Sequence, residues 1–264
     1  MSKIPLLMGI VNATGNSFSE GASSDPLSAL DRALKLIDDG ADIIDAGAES
    51  TRPGAEDVSA DEECRRLEKL LKGLSRLRPS TPVSVDTRRS ATAEFALGHG
   101  AKYINDVSML RFDSAMVDVA AKYDAVLILC HSRGVPQNMQ ESVFCDYSNG
   151  VEDVISELKT AAETAKRAGV KELIFDPGFG FAKSVALQME MLRNAKEFTK
   201  LGRTLAGVSR KSFLGAVTGV EKPSERQGST LAAELHLAAC GIDIIRTHNV
   251  KMLRDAITVK NLLD

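Results

Sequence analysis

Cysteine is scarce in this chain, and its cysteines are not arranged in pairs. The 264 residues include four cysteines, Cys64, Cys130, Cys145 and Cys240, with no C-x-x-C pair and no histidine partner at zinc-finger spacing. Disulfide-stabilised secreted domains and structural zinc sites both need closely grouped cysteines. We therefore expect four reduced thiols, which excludes a disulfide scaffold and favours a cytoplasmic protein.

A long hydrophobic run is also absent from the sequence. The longest clean apolar run covers residues 125–130, whereas a membrane span needs about 20 residues. The apolar residues after Lys3 lead directly into Asn12 and Thr14 without an A-x-A-like cleavage site, which argues against a signal peptide. We therefore expect neither export nor a membrane partner.

Positive charge is not in excess either. The formal net charge is −3, so the protein has no global positive field for nucleic acid or for an acidic membrane surface. We expect no nucleic-acid partner. Any bound anion has to be held by a local cluster of cationic groups.

Eight short, β-prone apolar runs alternate with longer amphipathic stretches. The runs cover residues 6–11, 42–46, 82–85, 102–104, 125–130, 172–175, 204–208 and 243–245. Strands that alternate with helices pair in parallel, because each return to a parallel neighbour needs a crossover. Eight such units predict a closed (β/α)8 TIM barrel, an α/β fold that forms a single domain over residues 1–264. A doubly wound open sheet is the alternative, but no dinucleotide fingerprint follows the first strand.

Capping residues predict where the first two helices begin. Asp25 and Pro26 predict the N-cap and first residue of one helix, which Gly40 ends. Ser59 and Glu62 predict a capping box at the start of the next helix.

Polar residues close nearly every apolar run. They are Asn12, Asp45, Asp86, Asn105, His131, Asp176, Ser209 with Arg210 and Lys211, and Arg246 with His248. An isolated Asp or Asn at a strand end is more often a helix cap or turn residue. A parallel barrel, however, brings the carboxyl ends of all its strands to one rim, where catalytic groups of this fold are found. The complete set therefore predicts a ligand site at that rim.

Seven sequence motifs identify a family that the chain resembles. MGIVNATGNSFSEG, GADIIDAGAESTRPGA, SVDT, INDVS, IFDPGFGF, GVSRKSFLG and IIRTHNV follow one another between residues 8 and about 250, and together they resemble dihydropteroate synthases. The resemblance implies a TIM-barrel transferase of folate biosynthesis. Such an enzyme joins 6-hydroxymethyl-7,8-dihydropterin diphosphate to 4-aminobenzoate and releases diphosphate. Because the STRPG and SRKSF segments are present, a pterin-binding methyltransferase domain with a corrinoid partner is disfavoured.

The resemblance implies a pterin pocket built from five residues. They are Asp86, Asn105, Cys130, Asp176 and Lys211. A carboxylate such as that of Asp176 can accept two hydrogen bonds from adjacent N–H donors on the pyrimidine edge of a pterin. Cys130 stands where the family has a methionine.

The family's diphosphate site corresponds to Asn12, Arg246 and His248 in this chain. Family members use Mg²⁺ on the diphosphate. Few carboxylates are available here, so we expect the ion to be bound mainly by substrate oxygens and water, with Asn12 as the protein ligand.

The 4-aminobenzoate site and the catalytic residues also follow from the resemblance. The aminobenzoate positions are Ser50, Thr51, Arg52, Pro53, Phe181, Lys211 and Ser212. The catalytic positions are Glu20, Arg52 and Lys211, with Glu20 in place of the usual Asp. Departure of diphosphate leaves positive character on the pterin methylene carbon, which a nearby carboxylate stabilises. Residues 13–24 and 49–56 are predicted loops.

Several positions depart from the family pattern. Gly15 and Asn16 stand where Pro-Asp is usual, and Asn249 replaces an acidic residue. These departures leave a second reading open, a catalytically weak paralogue that binds a pterin without making pteroate. The resemblance further implies competition by sulfonamides and a homodimer formed through the later helices.

Overall fold

The fold is a closed ring of eight parallel strands. The structure, a computed structural model, describes residues 4–13, 28–49, 57–135, 138 and 141–263. Its strands are β1 (Leu6–Asn12), β2 (Ile43–Gly47), β3 (Val83–Asp86), β4 (Tyr103–Asp106), β5 (Val126–Cys130), β6 (Glu172–Asp176), β7 (Leu205–Ala206) and β8 (Ile244–Thr247). All eight predicted strands are confirmed, with bounds that agree to within two residues.

The order and closure of the ring confirm the predicted (β/α)8 barrel. The strands pair in parallel in the order β6-β5-β4-β3-β2-β1-β8-β7. The backbone N–H of Phe175 in β6 donates to the carbonyl of Arg203 at 2.9 Å, and Phe175 bridges Thr204 in parallel. These contacts join β6 to the start of β7, so the described residues form one domain.

Helices surround the ring. They are α1 (Ala29–Asp38), α2 (Ala60–Leu77), α3 (Ser90–Gly98), α4 (Met116–Lys122), α5 (Ser142–Cys145), α6 (Val151–Arg167), α7 (Val185–Arg193), α8 (Ala195–Thr199), α9 (Ser212–Thr218), α10 (Gln227–Ala239) and α11 (Val250–Leu263). A short 3-10 turn, Pro223–Glu225, precedes α10. In the part of the chain that the structure describes, none of the helices combines the length and apolar character that a membrane crossing requires.

The start of α1 differs from the sequence prediction. Its N-cap is Ser28, which forms a reciprocal capping box with Asp31, because a serine hydroxyl and an N3 carboxylate satisfy each other's backbone donors. The predicted cap, Asp25 with Pro26, lies outside the described residues. The end of the helix at Gly40 is confirmed, where φ is +99°.

The capping box predicted for α2 is half formed. The hydroxyl of Ser59 accepts the N–H of Glu62 at 3.3 Å. The Glu62 carboxylate instead accepts hydrogen bonds from Arg65 and Arg66, each with a contact of 2.7 Å. Two guanidinium groups within reach compete successfully with a single backbone N–H.

Two apolar layers stabilise the barrel. Inside the ring, the fully buried side chains are Met8, Ile43, Ile128, Ile174, Leu205 and Ile244. Their strand neighbours, such as Leu7 and Ile44, point outwards and pack beneath the helices, because successive strand residues face opposite sides. Burying each Leu or Ile contributes about 1.5–3 kcal/mol. The interior layer fills the lower and middle barrel, which leaves the carboxyl rim to polar residues.

Candidate active site

Strand register brings the predicted polar residues together at one rim. Asp86 at the end of β3 pairs in register with Asn105 of β4. Cys130 at the end of β5 pairs in register with Asp176 of β6. Parallel strands that end side by side direct their last side chains to a common opening. The predicted pterin residues are therefore neighbours.

Arg246 of β8 lies across this opening and binds two carboxylates. Its Nε donates to Oδ2 of Asp45 at 2.6 Å, and its Nη2 donates to Oδ2 of Asp86 at 2.8 Å. Asn105 Nδ2 donates to the same oxygen of Asp45 at 3.3 Å. Arg246 thus connects β8 with β2 and β3, and this role of Asp45 was not predicted from the sequence. An isolated carboxylate in an otherwise apolar strand was the available signal, since a buried charge needs a partner.

Asp176 and Lys211 lie in the same opening. Oδ1 of Asp176 accepts the N–H of Gly178 at 2.8 Å. Burial raises the pKa of Asp176, although the Gly178 N–H, Lys211 and Arg246 act to lower it. Lys211 donates to the carbonyl of Phe179, and its Nζ lies 4.5 Å from the centroid of the Phe181 ring. Because Arg246 is among the charges that act on Asp176, the two residues share this opening, as the predicted ligand site at the rim requires.

Three buried acceptor atoms in this opening have no hydrogen-bond partner among the described residues. They are Oδ1 of Asp45, Oδ1 of Asp86 and Oδ1 of Asn105. An unsatisfied buried polar atom costs about 1–3 kcal/mol, so such atoms persist where a ligand supplies the missing donors. The opening is chemically suited to a flat ligand that carries several N–H groups.

The surroundings of Asp86 act on its charge in opposite directions. Burial raises the pKa of Asp86, with Asp45 adding to the shift and Arg246 opposing it. The contact with Arg246 at 2.8 Å is that of a carboxylate, so Oδ1 of Asp86 is an acceptor for the ligand.

The predicted diphosphate residues occupy the adjoining part of the rim. His248 follows β8, and its backbone N–H and Nδ1 lie 3.3 Å and 3.0 Å from Oγ of Ser209. Asn12 is the last residue of β1, and its carbonyl accepts a hydrogen bond from Arg32 at 2.8 Å. Asn249, where the family has an acidic residue, acts as a helix cap, because its Oδ1 accepts the N–H of Met252 in α11 at 3.2 Å.

The donor set fits a metal ion that arrives with its ligand. Among the residues that the structure describes, no three His, Cys, Asp or Glu side chains form a group that could hold a metal ion. Asn12 is half-buried at the rim, and an amide oxygen is a kind of donor that suits an Mg²⁺ with most of its ligands from phosphate and water.

Lys183 is a residue of this region that the sequence analysis missed. It is buried, and its Nζ lies within 3.2 Å of four acceptors: Nδ1 and the carbonyl of His131, and the carbonyls of Gly178 and Phe181. No local pattern signals this position, since a lysine after a glycine-rich turn is usually exposed.

The remaining predicted residues divide into two groups. Phe181 is half-buried after β6, and Ser212 is exposed as the first residue of α9. Glu20, Ser50, Thr51, Arg52 and Pro53, with the departures Gly15 and Asn16, lie outside the described residues. Their roles stay predictions.

A closed parallel barrel with carboxylates, an amide and two cations at its carboxyl rim defines a TIM-barrel enzyme that binds its ligand in the mouth of the barrel. The family model of pterin binding enzymes matches residues 8–248. A dihydropteroate synthase of Streptococcus pyogenes serotype M6 is 40% identical over 262 residues, covering 97% of this chain and 95% of the relative. The chain belongs to the dihydropteroate synthase family of pterin-binding enzymes.

Solved structures support the same assignment. The dihydropteroate synthase of Xanthomonas albilineans with 4-aminobenzoic acid superposes with a TM-score of 0.89 at 35% identity, covering 99% of this chain and 93% of that one. The Yersinia pestis dihydropteroate synthase, solved as a sulfonamide drug complex, gives 0.90 at 34% identity over 98% and 94%.

Proposed function

We propose that the protein condenses 6-hydroxymethyl-7,8-dihydropterin diphosphate with 4-aminobenzoate to give 7,8-dihydropteroate and diphosphate, a step of folate biosynthesis. The observation that carries this proposal is the set of unpaired acceptors on Asp45, Asp86 and Asn105 beside the guanidinium of Arg246. One molecule with ring N–H donors and an anionic tail would satisfy both features.

Pterin recognition falls to residues of β3, β4, β5 and β6. Asp176, oriented by the Gly178 N–H, accepts from the pyrimidine edge. Asn105 and Asp86 pair with the remaining polar ring atoms, and the buried thiol of Cys130 provides an apolar wall. Leaving these ring atoms unpaired would cost about 1–3 kcal/mol each, so the pocket selects pterins by hydrogen bonding.

The diphosphate binds beside the pterin. A guanidinium has five N–H donors, and the two carboxylates of Asp45 and Asp86 occupy two donor atoms of Arg246. The other donors serve phosphate oxygens, together with His248 and Asn12. When bound, Mg²⁺ neutralises charge on the departing diphosphate, and Asn12 is the residue of this chain that would hold it.

The reaction forms a carbon–nitrogen bond as a carbon–oxygen bond breaks. The neutral aryl amine of 4-aminobenzoate attacks the pterin methylene carbon, diphosphate leaves with the bonding electrons, and the amine then loses a proton. Lys211 lies between Asp176 and Phe181, where its charge favours an anionic substrate. Glu20 is proposed to stabilise the positive charge that develops at the methylene carbon, and Arg52 is proposed to bind the 4-aminobenzoate that attacks it.

We also propose that 4-aminobenzoate occupies the region of Phe181, Ser212 and residues 50–53, and that sulfonamides compete there. The support is the pair of relatives solved with 4-aminobenzoic acid and with a sulfonamide drug. A cytoplasmic homodimer that assembles through the later helices is part of the same proposal.

The direct test is formation of dihydropteroate by the purified protein with both substrates and Mg²⁺, followed by chromatography and mass spectrometry. The proposal expects product that depends on both substrates and a stoichiometric release of diphosphate. Calorimetric binding of the pterin substrate without any product at saturating concentrations would instead identify a pterin-binding paralogue of low activity.

A further inference from the structure

A buried polar row runs behind the pterin pocket. Lys183 lies in the interior, with Nζ 3.0 Å from the carbonyls of Gly178 and Phe181 and 3.2 Å from the carbonyl of His131. The same Nζ lies 2.9 Å from Nδ1 of His131. An ammonium group has three N–H donors and no acceptor, so these four acceptors favour the charged form of lysine. Burial lowers the pKa of Lys183 to about 7, so the ammonium is the main form at acid pH, where the carboxylate of Asp176 titrates.

The row continues to the protein surface through His131 and Glu157. Because Nδ1 of His131 accepts from Lys183, the ring proton of a neutral imidazole lies on Nε2. That atom is 3.3 Å from Oε2 of Glu157 in α6, an electrostatic contact, since Nε2 has no hydrogen-bond partner among the described residues. Glu157 itself pairs with Arg111 and Arg133. Lys183 is therefore the inner end of a row of polar contacts that leads to the surface.

The turn at residues 178–181 depends on this lysine. A Cβ atom on Gly178 would lie 1.9 Å from the carbonyl oxygen of His131, so the turn packs directly on the end of β5. Carbonyl groups on both sides of that contact repel one another, and the ammonium of Lys183 bridges them. The Gly178 N–H in turn orients the carboxylate of Asp176.

We propose that Lys183 is a positioning residue for pterin recognition, which holds the turn at residues 178–181 against β5 and thereby aims the carboxylate of Asp176 at the ligand. This inference rests on the proposed pterin role of Asp176. Lys183 does not contact the ligand itself and acts on it only through the turn.

Charge provides a second connection between Lys183 and Asp176. The groups that face Asp176 are Lys211 beyond β7, Arg246 on β8, the Cys130 thiol on β5 and Lys183 itself. All three cations lower the pKa of Asp176 against the effect of burial. Removing one of them moves that pKa upward, so the carboxylate is lost at a higher pH.

The test compares Lys183→Met and Lys183→Gln with the wild type by calorimetric titration with 6-hydroxymethyl-7,8-dihydropterin diphosphate. Glutamine keeps N–H donors without the charge. The glutamine variant therefore still tests the inference if the methionine variant does not fold. Lys171→Met, at a lysine that is 74% exposed, is the matched control. We expect the dissociation constant to rise about tenfold or more for methionine and less for glutamine, with no change in the control.

The pH dependence separates positioning from general stability. Between about pH 5 and 7, the acid limb of pterin binding should move to higher pH in both Lys183 variants and stay in place for the control. Folded variants that bind within about twofold of the wild type, with an unshifted acid limb, would overturn the inference. Binding of the pterin substrate by the wild type is measured first. Absence of that binding would overturn the proposed function and not the inference on Lys183.

Discussion

At the scale of single residues, one guanidinium organises the candidate site. Arg246 binds Asp45 and Asp86 at 2.6 Å and 2.8 Å, and Asp45 is fully buried. A buried carboxylate that loses its cation is strongly destabilising, because its desolvation is no longer compensated. Arg246 therefore has a structural role, the pairing of buried carboxylates, in addition to its proposed contact with diphosphate.

Arg246→Ala should lose both functions. We expect weaker binding of the diphosphate substrate in calorimetry, and a fall of about 3–5 kcal/mol in the free energy of unfolding, measured with urea. Arg246→Lys keeps the charge without the planar fork. We expect this variant to keep most of the free energy of unfolding and to lose part of the affinity for the diphosphate substrate. Unchanged calorimetric affinity in folded Arg246→Ala would remove Arg246 from the anion site.

Asp176→Asn tests the pterin pocket itself. The amide replaces one acceptor oxygen with a donor, so one hydrogen bond to the pyrimidine edge becomes a clash of two donors, at a cost of about 1–3 kcal/mol. Calorimetry should report a loss of affinity for pterin of about fivefold to 150-fold. Asp124→Asn, at a carboxylate that is 67% exposed and pairs with Lys171, is the control. Equal binding by both variants would place the pterin elsewhere.

At the scale of elements, the turn after β6 is the part of the fold that the site depends on most. In this turn, residues 178–181, the Gly178 N–H orients Asp176, and the carbonyls of Gly178 and Phe181 accept hydrogen bonds from Lys183. Gly178 has φ +68° and packs on the carbonyl of His131. Only glycine fits this conformation and this contact together.

Gly178→Ala should therefore damage the turn. The backbone carbonyl of His131 cannot rotate away as a side chain could, so we expect a lower melting temperature and loss of pterin binding. Gly219→Ala is the matched control, since Gly219 has a similar φ of +74° with nothing within 4 Å of an added Cβ. The free energy of unfolding of that variant should fall only by the strain of a left-handed alanine, about 1–2 kcal/mol. Similar melting temperatures for the two variants would contradict the packing argument.

At the scale of the whole molecule, buried ionisable groups determine how stability varies with pH. Glu234 in α10 is buried, and burial raises its pKa from an ordinary 4.5 to about 7, against the effects of Thr247 and Arg210. A carboxyl group whose pKa is higher in the folded state favours folding below its unfolded pKa. That contribution is lost as the pH rises through the folded pKa.

Glu234→Gln should remove this part of the pH dependence. Each unit of pKa shift corresponds to about 1.4 kcal/mol, so the stability of the variant relative to the wild type should increase by about 3 kcal/mol between about pH 5 and 8. Urea unfolding across that range measures the difference. Glu225→Gln, at a carboxylate that is 59% exposed, should show no such trend, and a parallel pH profile for Glu234→Gln would mean that Glu234 titrates normally.

The sequence by itself determined the architecture of this protein. Apolar runs and the amphipathic stretches between them are local properties of the chain, so all eight strands were predicted to within two residues. The strand-end positions of Asp86, Asn105, Asp176 and Arg246 were readable for the same reason. The start of α1 was not, because Ser28 and Asp31 compete with an equally acceptable cap upstream.

Tertiary structure alone decided which of these residues are partners. Arg246 binds Asp45 across 201 positions of sequence, because closure of the ring brings β8 beside β1 and within reach of β2 and β3. Lys183 is buried among carbonyl groups for a similar reason, since the ends of β5 and β6 meet beneath it. Pairing energies and pKa shifts depend on distance and burial in space, which a local sequence pattern does not contain.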